Sequence, residues 1–263
     1  MVSQQFDCGP NNEKVAIGRA LVDRITFKQA VEKILAMSQA RDSKYIVTPN
    51  ADHVLQLEAD AEFCEVYSQA ALVTCDGNPL LWASRWLGSA LPQTVTGADL
   101  LPALCKYGAA AGLRIALIGG PPNAAELAGR NLEVRYPGLQ VVWTNCPPLG
   151  FERSKDESEK IVDELNHRNV DIVFVGVGAP KQEKWMFQHR KALRVGVMLG
   201  IGAAIEFAAG TLPRAPKLFR YLGLEWAFRL VHDPRRLAVR YLRNLRFFFI
   251  IYRQWVHHDR PRT

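Results

Sequence analysis

Cysteine is scarce in this chain of 263 residues, and the five that occur lie far apart. Cys8, Cys64, Cys75, Cys105 and Cys146 form no Cys-x-x-Cys pair and have no histidine at ligand spacing. The pattern therefore indicates neither a zinc site nor a disulfide framework. It is typical of a protein that works in the reducing cytosol.

Long hydrophobic runs are also missing. The longest apolar run towards the C-terminus, Phe247 to Tyr252, is far shorter than the ~20 residues of a membrane span. The segment from Met1 to Lys14 is polar and has no basic start followed by an apolar core, which predicts that there is no signal peptide. We expect a chain that does not cross a membrane, with enough apolar residues, 48%, for one large α/β domain.

Motifs for common cofactors are absent as well. No strand is followed by Gly-x-Gly-x-x-Gly or by P-loop spacing, which argues against dinucleotide and ATP binding. No Asp-x-Asp follows a strand, although carboxylates are the usual means of holding Mg²⁺ or Mn²⁺ beside a nucleotide sugar. We predict no metal and no other cofactor, so Arg, Lys and backbone dipoles would neutralise the charge of a diphosphate.

Positive charge is concentrated in the C-terminal fifth of the sequence. The segment from Arg214 onwards holds 12 Lys and Arg residues against three acidic ones, although the whole chain carries only +7. Composition changes at 211–214, which predicts a core at 1–213 and a basic helical appendage at 214–263. Two helices are predicted there, with a break near Asp233-Pro234.

The appendage is typical of a surface that binds phosphate groups. Arg229, Arg236, Arg240 and Arg243 recur at helical spacing beside apolar and aromatic residues. This pattern favours a helix lying among anionic lipid headgroups, where each arginine contributes ~1 kcal/mol. A dimer helix or a nucleic-acid contact has a similar composition.

Six apolar runs alternate with helical patterns along the rest of the chain. The predicted strands are 44–48, 71–75, 113–118, 139–143, 171–177 and 195–199, and a short strand or hairpin is predicted at Val15 to Ile25. Such alternation predicts an α/β fold with a mostly parallel sheet and helices on both faces.

Polar side chains follow the first two of these strands. Asp76 precedes a glycine and is a candidate general base, although Asp-Gly is also a common turn. Thr48 and Asn50 could bind substrate by hydrogen bonds, or could simply cap the next helix. His53 is predicted to be a surface or core residue rather than a ligand.

Glycine turns follow later strands. Gly119, Gly120 and Gly178 each lie between a strand and a helix, where backbone N–H groups can hold a phosphate. Lys181 and Gln182 fall in the first helical turn after Gly178, where a diphosphate could use a cation and an amide. Solvated helix starts have the same composition, so both interpretations stay open.

Taken together, these motifs resemble the WecG/TagA/CpsF family of bacterial glycosyltransferases. The resemblance runs from about Val15 into the appendage, and its most specific part is the run 176–185. The motifs that carry it are Thr48-Pro49-Asn50, Cys75-Asp76-Gly77, Thr96-Gly97-Ala98-Asp99, Gly176-Val177-Gly178-Ala179-Pro180-Lys181-Gln182-Glu183-Lys184-Trp185, Arg214-Ala215-Pro216, Gly223-Leu224-Glu225-Trp226 and Arg229.

The resemblance implies a Rossmann-like core and a UDP-sugar-dependent hexosyltransferase. It implies inverting transfer, without a metal, to a sugar on a polyprenyl diphosphate at the cytoplasmic face of the inner membrane. The chain would be a peripheral protein there, with no nucleic-acid partner. Asp76 matches the family's proposed base, and Thr48, Asn50 and Gln182 match its pocket residues. Thr48 is counted with Asp76 as a catalytic residue, and Thr96, in the family's Thr-Gly-Ala-Asp motif, is predicted to bind substrate. Arg214 and Arg229 match appendage arginines expected to face a diphosphate.

One position departs from the family pattern. Thr94 stands where many relatives carry a basic residue, so the resemblance does not identify the donor sugar, which is glucose, N-acetylmannosamine or its uronic acid in relatives. Two other functions stay open. One is an NAD(P)-dependent oxidoreductase on the same fold, and the other is a non-catalytic basic protein that binds membranes or nucleic acid.

Overall fold

The computed structural model describes residues 14–216, 219, 225–232 and 234–258. The strands are β1 (Lys14–Ile17), β2 (Ala20–Asp23), β3 (Lys44–Val47), β4 (Leu72–Val73), β5 (Arg114–Gly119), β6 (Gln140–Asn145), β7 (Ile172–Gly176) and β8 (Val197–Gly200). The helices of the first two thirds are α1 (Phe27–Ala40), α2 (Ala51–Ala59), α3 (Ala61–Ser68), α4 (Asn78–Trp86), α5 (Gly97–Ala111), α6 (Ala124–Arg135) and α7 (Lys155–His167). They are followed by α8 (Lys181–His189), α9 (Ala204–Ala209), α10 (Glu225–His232) and α11 (Pro234–His258).

Six of these strands form one parallel sheet in the order β4-β3-β8-β7-β5-β6, and β1 and β2 form a separate antiparallel hairpin. The predicted α/β fold with a mostly parallel sheet is confirmed. Strand β4 is shorter than predicted, with only Leu72–Val73 in strand conformation. Because the strands are parallel, their carboxyl ends lie along one edge of the sheet.

Apolar side chains along the strands alternate between the two faces of the sheet. In β5, Ile115 and Leu117 point to one face, whereas Ala116 and Ile118 point to the other. Helices α1, α5, α6 and α9 cover the first face. The hairpin and helices α2, α3, α4, α7, α8 and α11 cover the second. A parallel sheet requires cover on both faces, so the predicted two helical layers are confirmed.

Helix starts follow local capping signals. The Thr26 hydroxyl accepts a hydrogen bond from the Gln29 N–H, and the Gln29 side chain accepts one from the Thr26 N–H, which is a complete capping box. The helical spacing of apolar residues over 52–69 predicts one continuous helix, and this prediction is wrong, because the structure has two helices there. The Asp60 carboxylate accepts from the Phe63 N–H and starts a new helix there.

The inner face of α11 is part of the main core. Phe247 and Ile251 are fully buried against the second face of the sheet domain. The Gln254 amide nitrogen donates to the Ala16 carbonyl at 2.9 Å, and its oxygen accepts from the Gly18 N–H at 2.8 Å. This helix is therefore attached to the N-terminal hairpin by both packing and hydrogen bonds.

Helix α10 ends at His232 and α11 begins at Pro234, beside the predicted break, whereas Asp233 lies outside the described residues. The division into a core at 1–213 and an appendage at 214–263 stays a prediction, because α11 shares its apolar face with the core. Within the described ranges, no helix is both long enough and apolar enough to traverse a bilayer.

Candidate active site

The parallel sheet places the polar strand ends side by side. Thr48 follows β3 and Asp76 follows the neighbouring strand β4. The Asp76 N–H donates to the Pro49 carbonyl at 2.9 Å, which joins the two ends directly. The sheet thus brings together Thr48 and Asn50, which follow β3, and Asp76, which follows β4 and lies 28 residues after Thr48.

The strand order places a topological switch point between β5 and β7 at the same edge, and we expect a crevice outside these two strand ends. Helix α6 leads from β5 outwards to β6, whereas α8 leads from β7 in the opposite direction to β8. The two helices lie on opposite faces of the sheet. Open α/β sheets bind ligands at such a switch point, outside the carboxyl ends of the strands.

Glycines lie at the ends of both strands that flank this switch point. Gly119 has φ +124°, and a Cβ atom there would lie 2.4 Å from the Gly176 carbonyl oxygen. The Gly120 N–H donates to that same oxygen at 3.2 Å. Only glycine allows the two strand ends to approach this closely. Gly178, two residues after the end of β7, also has a positive φ, +85°.

Two helices begin at the crevice without side-chain caps. Asn123 precedes α6 and Pro180 precedes α8, and neither makes a side-chain capping hydrogen bond. Lys181 is half-buried in the first turn of α8. First-turn N–H groups and the helix dipole favour an anion at such positions.

The side chains of Thr48 and Asn50 are both engaged with the backbone. The buried Thr48 hydroxyl donates to the Gly200 carbonyl at 3.0 Å, which links β3 to β8. The Asn50 amide oxygen accepts from the Asp52 and His53 N–H groups as the N-cap of α2. The capping role of Asn50 is therefore observed. Binding of a substrate by either residue stays a prediction.

Asp76 is half-buried beside two buried titratable groups. Burial, and secondarily the Asp76 charge, raises the pKa of the Cys75 thiol to about 12. Burial raises the pKa of Tyr67 well above its usual value, and the charges of Glu183 and Asp76 add to the effect. The Tyr67 hydroxyl hydrogen-bonds to His53 Nδ1 at 2.7 Å. His53 is a core residue, as one of the sequence interpretations held.

The Gln182 side chain lies between the turn that follows β7 and the turn that follows β8. It is buried, and its amide oxygen accepts from the N–H groups of Gly178 and Gly202, each at 3.2 Å. Its amide nitrogen donates to the Glu183 carboxylate at 2.7 Å. Gln182 therefore joins the predicted turn at Gly178 to the turn at Gly202 by hydrogen bonds to the backbone.

Arg214 joins the site through the start of α5. The Thr96 hydroxyl donates to Asp99 Oδ2 at 2.8 Å, and Arg214 Nη2 contacts Asp99 Oδ1 at 2.7 Å. The Val95 N–H donates to the Cys75 carbonyl at 2.7 Å, so this segment lies beside the strand that leads to Asp76. Thr96 and Arg214 are thus brought to the same edge of the sheet.

The C-terminal helix reaches the first turn of α2. Arg243 donates a hydrogen bond to the buried carboxylate of Asp52, two residues after Asn50. The predicted site residue Arg229 belongs to α10, but its side chain lies outside the described residues.

Sequence reasoning missed Asp52 and Glu183 as members of this region. Both are charged residues in the first turn of a helix, where acidic side chains are ordinarily explained by the helix dipole. The available signal was that Asp52 lies two residues after the Thr-Pro-Asn motif and that Glu183 lies within the run 176–185. In the part of the chain that the structure describes, no three His, Cys, Asp or Glu side chains are grouped to hold a metal ion.

A parallel sheet covered on both faces, with glycine turns at a switch-point crevice, defines a Rossmann-like α/β protein. The chain belongs to the Glycosyl transferase WecG/TagA/CpsF family, whose sequence model matches residues 15–261. Membership of a glycosyltransferase family favours this class over the oxidoreductase and the non-catalytic binding protein.

Two staphylococcal proteins illustrate the relationship. The N-acetylglucosaminyldiphosphoundecaprenol N-acetyl-beta-D-mannosaminyltransferase of Staphylococcus aureus strain MW2 is 30% identical over 230 residues, covering 87% of this chain and 88% of the relative. The protein of the same name from strain NCTC 8325 / PS 47 has the same identity and coverage.

Proposed function

We propose that the chain transfers a sugar from a UDP-sugar to a sugar carried on a polyprenyl diphosphate, with inversion at the anomeric carbon and without a metal. This reaction would serve the synthesis of a cell-surface or extracellular polysaccharide. The observation that carries the proposal is Asp76 beside Thr48 and Asn50 at the sheet edge of a member of this family. The names of the staphylococcal relatives specify a diphosphoundecaprenol-linked acceptor.

In the proposed reaction, the Asp76 carboxylate accepts the proton of the acceptor hydroxyl. The hydroxyl oxygen forms a bond to the anomeric carbon as the bond from that carbon to the UDP phosphate oxygen breaks. The bonding electron pair leaves with UDP. Attack from the face opposite UDP inverts the configuration in one displacement, and correct placement of the two substrates supplies much of the rate.

The crevice between β5 and β7 is the proposed donor site. Gly119, Gly120 and Gly178 would contribute backbone N–H groups to the phosphates, and Lys181 a cation. Arg214 and Arg229 would neutralise negative charge on the diphosphates, a role that a metal ion has in many other enzymes. Thr48, Asn50, Thr96 and Gln182 would shape the pocket for the donor sugar.

The outer face of α11 suits an anionic membrane surface. Val239, Leu242, Leu245, Phe249 and Tyr252 are each more than half exposed. Arg246 and Arg253 are exposed on the same helix. Apolar and aromatic groups flanked by arginines are typical of a helix that lies among headgroups. We propose peripheral attachment there, at the cytoplasmic face of the inner membrane.

The test is transfer by the purified full chain from a panel of UDP-sugars to an N-acetylglucosaminyl-diphosphate-polyprenol, in buffer containing EDTA. We expect one preferred donor, undiminished activity in EDTA and a product of inverted anomeric configuration. Asp76→Asn should lower kcat by about 10² to 10⁴. The matched control is Asp42→Asn, since Asp42 is exposed at the start of β3, at the opposite end of the sheet. Retention of the anomeric configuration, or a wild-type rate for Asp76→Asn at every pH, would refute the proposed chemistry.

A further inference from the structure

Glu183 is a fully buried carboxylic acid that the proposed reaction does not use. It lies in the first turn of α8, and the neighbouring Gln182 amide nitrogen donates to its Oε1 at 2.7 Å. Its other oxygen has no hydrogen-bond partner among the described residues. A buried carboxyl group is destabilising unless it has a compensating role, so its contact with Gln182 requires an explanation.

The Gln182 amide can hold only one orientation in this network. Its oxygen accepts two backbone hydrogen bonds, from Gly178 after β7 and from Gly202 after β8. If the amide were reversed, its NH₂ group would meet these two N–H donors, and its oxygen would meet the Glu183 carboxylate. Glu183 therefore selects the orientation in which Gln182 joins the two turns.

The joined turns touch other parts of the predicted site. A Cβ atom on Gly200 would lie 2.9 Å from the Gln182 amide nitrogen, so backbone and amide are in close contact. The Gly200 carbonyl in turn accepts the hydrogen bond from Thr48. A change in the Gln182 amide would thus move the Gly178 turn and the anchor of Thr48 together.

We propose that Glu183 is a positioning residue, which fixes the Gln182 amide and thereby sets the geometry of the Gly178 and Gly202 turns on the donor side of the crevice. The assignment of these turns to the donor side rests on the function proposed above, whereas the positioning of Gln182 by Glu183 does not. Glu183 acts through Gln182 and takes no part in the chemical step.

The charge state of Glu183 offers a direct probe of this role. Burial raises the pKa of Glu183 to about 7, against the opposing effect of the Gln182 hydrogen bond. Because one oxygen accepts from Gln182 whether or not the other is protonated, the hydrogen bond persists while the local charge changes. Tyr67 on α3 is a titratable group on which the Glu183 charge acts, and the Asp76 charge acts on it as well. His53 on α2 hydrogen-bonds to Tyr67. Lys184, the next residue along α8, pairs with Asp60 and Glu62.

Two variants separate the positioning role from simple packing. Glu183→Gln keeps an oxygen that can accept from Gln182 but removes the charge, whereas Glu183→Met fills a similar volume without an acceptor. Glu159→Met, at an exposed position on α7, is the matched control. The Gly178 and Gly202 amides of the full-length ¹⁵N-glycine-labelled protein are followed by NMR across pH 5 to 9.

In the wild-type protein and in Glu159→Met, we expect both amide signals to shift with a midpoint near pH 7. Glu183→Gln should keep their protection from hydrogen exchange but lose this titration. Glu183→Met should exchange both amides about tenfold faster or more and raise the KM for the UDP-sugar by a similar factor, as loss of an orienting hydrogen bond predicts. Kinetic rescue by Gln but not by Met is not expected of a merely space-filling residue.

The proposal is overturned if Glu183→Met keeps wild-type exchange at Gly178 and Gly202. If that variant does not fold, Glu183→Gln decides, because a persisting titration near pH 7 would assign the effect to another group. The NMR measurement needs no substrate. Expected amide behaviour together with no transfer from any UDP-sugar would therefore refute the proposed donor and leave the role of Glu183 standing.

Discussion

Arg243 on the last helix donates a hydrogen bond to the carboxylate of Asp52, which lies 191 residues earlier in the chain. The Asp52 side chain is only 8% exposed, and its second oxygen accepts from the Gln56 amide at 3.0 Å. The pair fastens α11 to the first turn of α2, directly after the Asn50 cap. The C-terminal helix is therefore attached to the helix that begins at the polar end of β3.

We expect the Asp52–Arg243 pair to contribute measurably to stability. Arg243→Met removes the cationic side of this contact, whereas Asp52→Asn removes the anionic side. A double-mutant cycle from urea unfolding should give a coupling free energy of about 1 to 2 kcal/mol, reduced from the value of a fully buried pair because Arg243 is half exposed. Arg253→Met, on the exposed side of α11, is the control. Strict additivity of the two substitutions would show that the pair contributes nothing.

Gly119 should tolerate no side chain. In Gly119→Ala, the new methyl group would meet the Gly176 carbonyl at 2.4 Å, and the residue would also keep an unfavourable φ. Gly88→Ala is the matched control, because Gly88 also has positive φ but open space around it. We expect Gly88→Ala to cost about 1 to 2 kcal/mol and Gly119→Ala about 3 kcal/mol more, measured by thermal unfolding. Equal losses would mean that β5 and β7 can separate without cost.

Stability should depend on pH through Glu183. Its pKa is about 7 in the folded protein against 4.5 for a solvated glutamate, so the folded state holds this proton more tightly than the unfolded chain does. Stability relative to Glu183→Gln should therefore fall as pH rises from about 4.5 to about 7, by roughly 3 kcal/mol, and change no further above that range. Urea unfolding of both proteins at matched pH values measures the difference. A difference that is constant across this range would contradict the assignment.

Attachment to anionic membranes should depend on the exposed apolar face of α11. Phe249→Glu places a charge on that face, at a side chain that is 61% exposed. We expect sedimentation with phosphatidylglycerol vesicles to fall about tenfold or more, since burial of an aromatic side chain is replaced by charge repulsion. Leu149→Glu makes the same kind of change at an exposed apolar residue outside this helix and should leave sedimentation unchanged. Equal binding by both variants would exclude this face.

Local patterns were sufficient to predict most of the fold. Apolar runs such as Ile172–Gly176 and the alternation of strands with helices determine a parallel sheet, because each strand is buried on both faces. The break at Asp60 was missed, although an aspartate three residues before Phe63 can cap a helix. Helical periodicity continued through that position and concealed the cap.

Pairings between distant residues could not be predicted in the same way. Nothing in the spacing of Arg243 identifies Asp52 as its partner, because periodicity reports only which face of an element is apolar. Glu183 was assigned no role, because a charged residue in a first helical turn ordinarily faces water. Its burial follows from the packing of α8 against α3 and the sheet, which involves three separate parts of the sequence.

The Gln254 side chain makes two hydrogen bonds of the kind that the backbone of a neighbouring β-strand would make. Its amide group satisfies the Ala16 carbonyl and the Gly18 N–H, both of which are backbone groups at the outer margin of the β1–β2 hairpin. An uncovered margin of this kind is a template on which another chain can add a strand. By occupying both groups, one glutamine from the far end of the sequence leaves neither of them open to a strand from another chain.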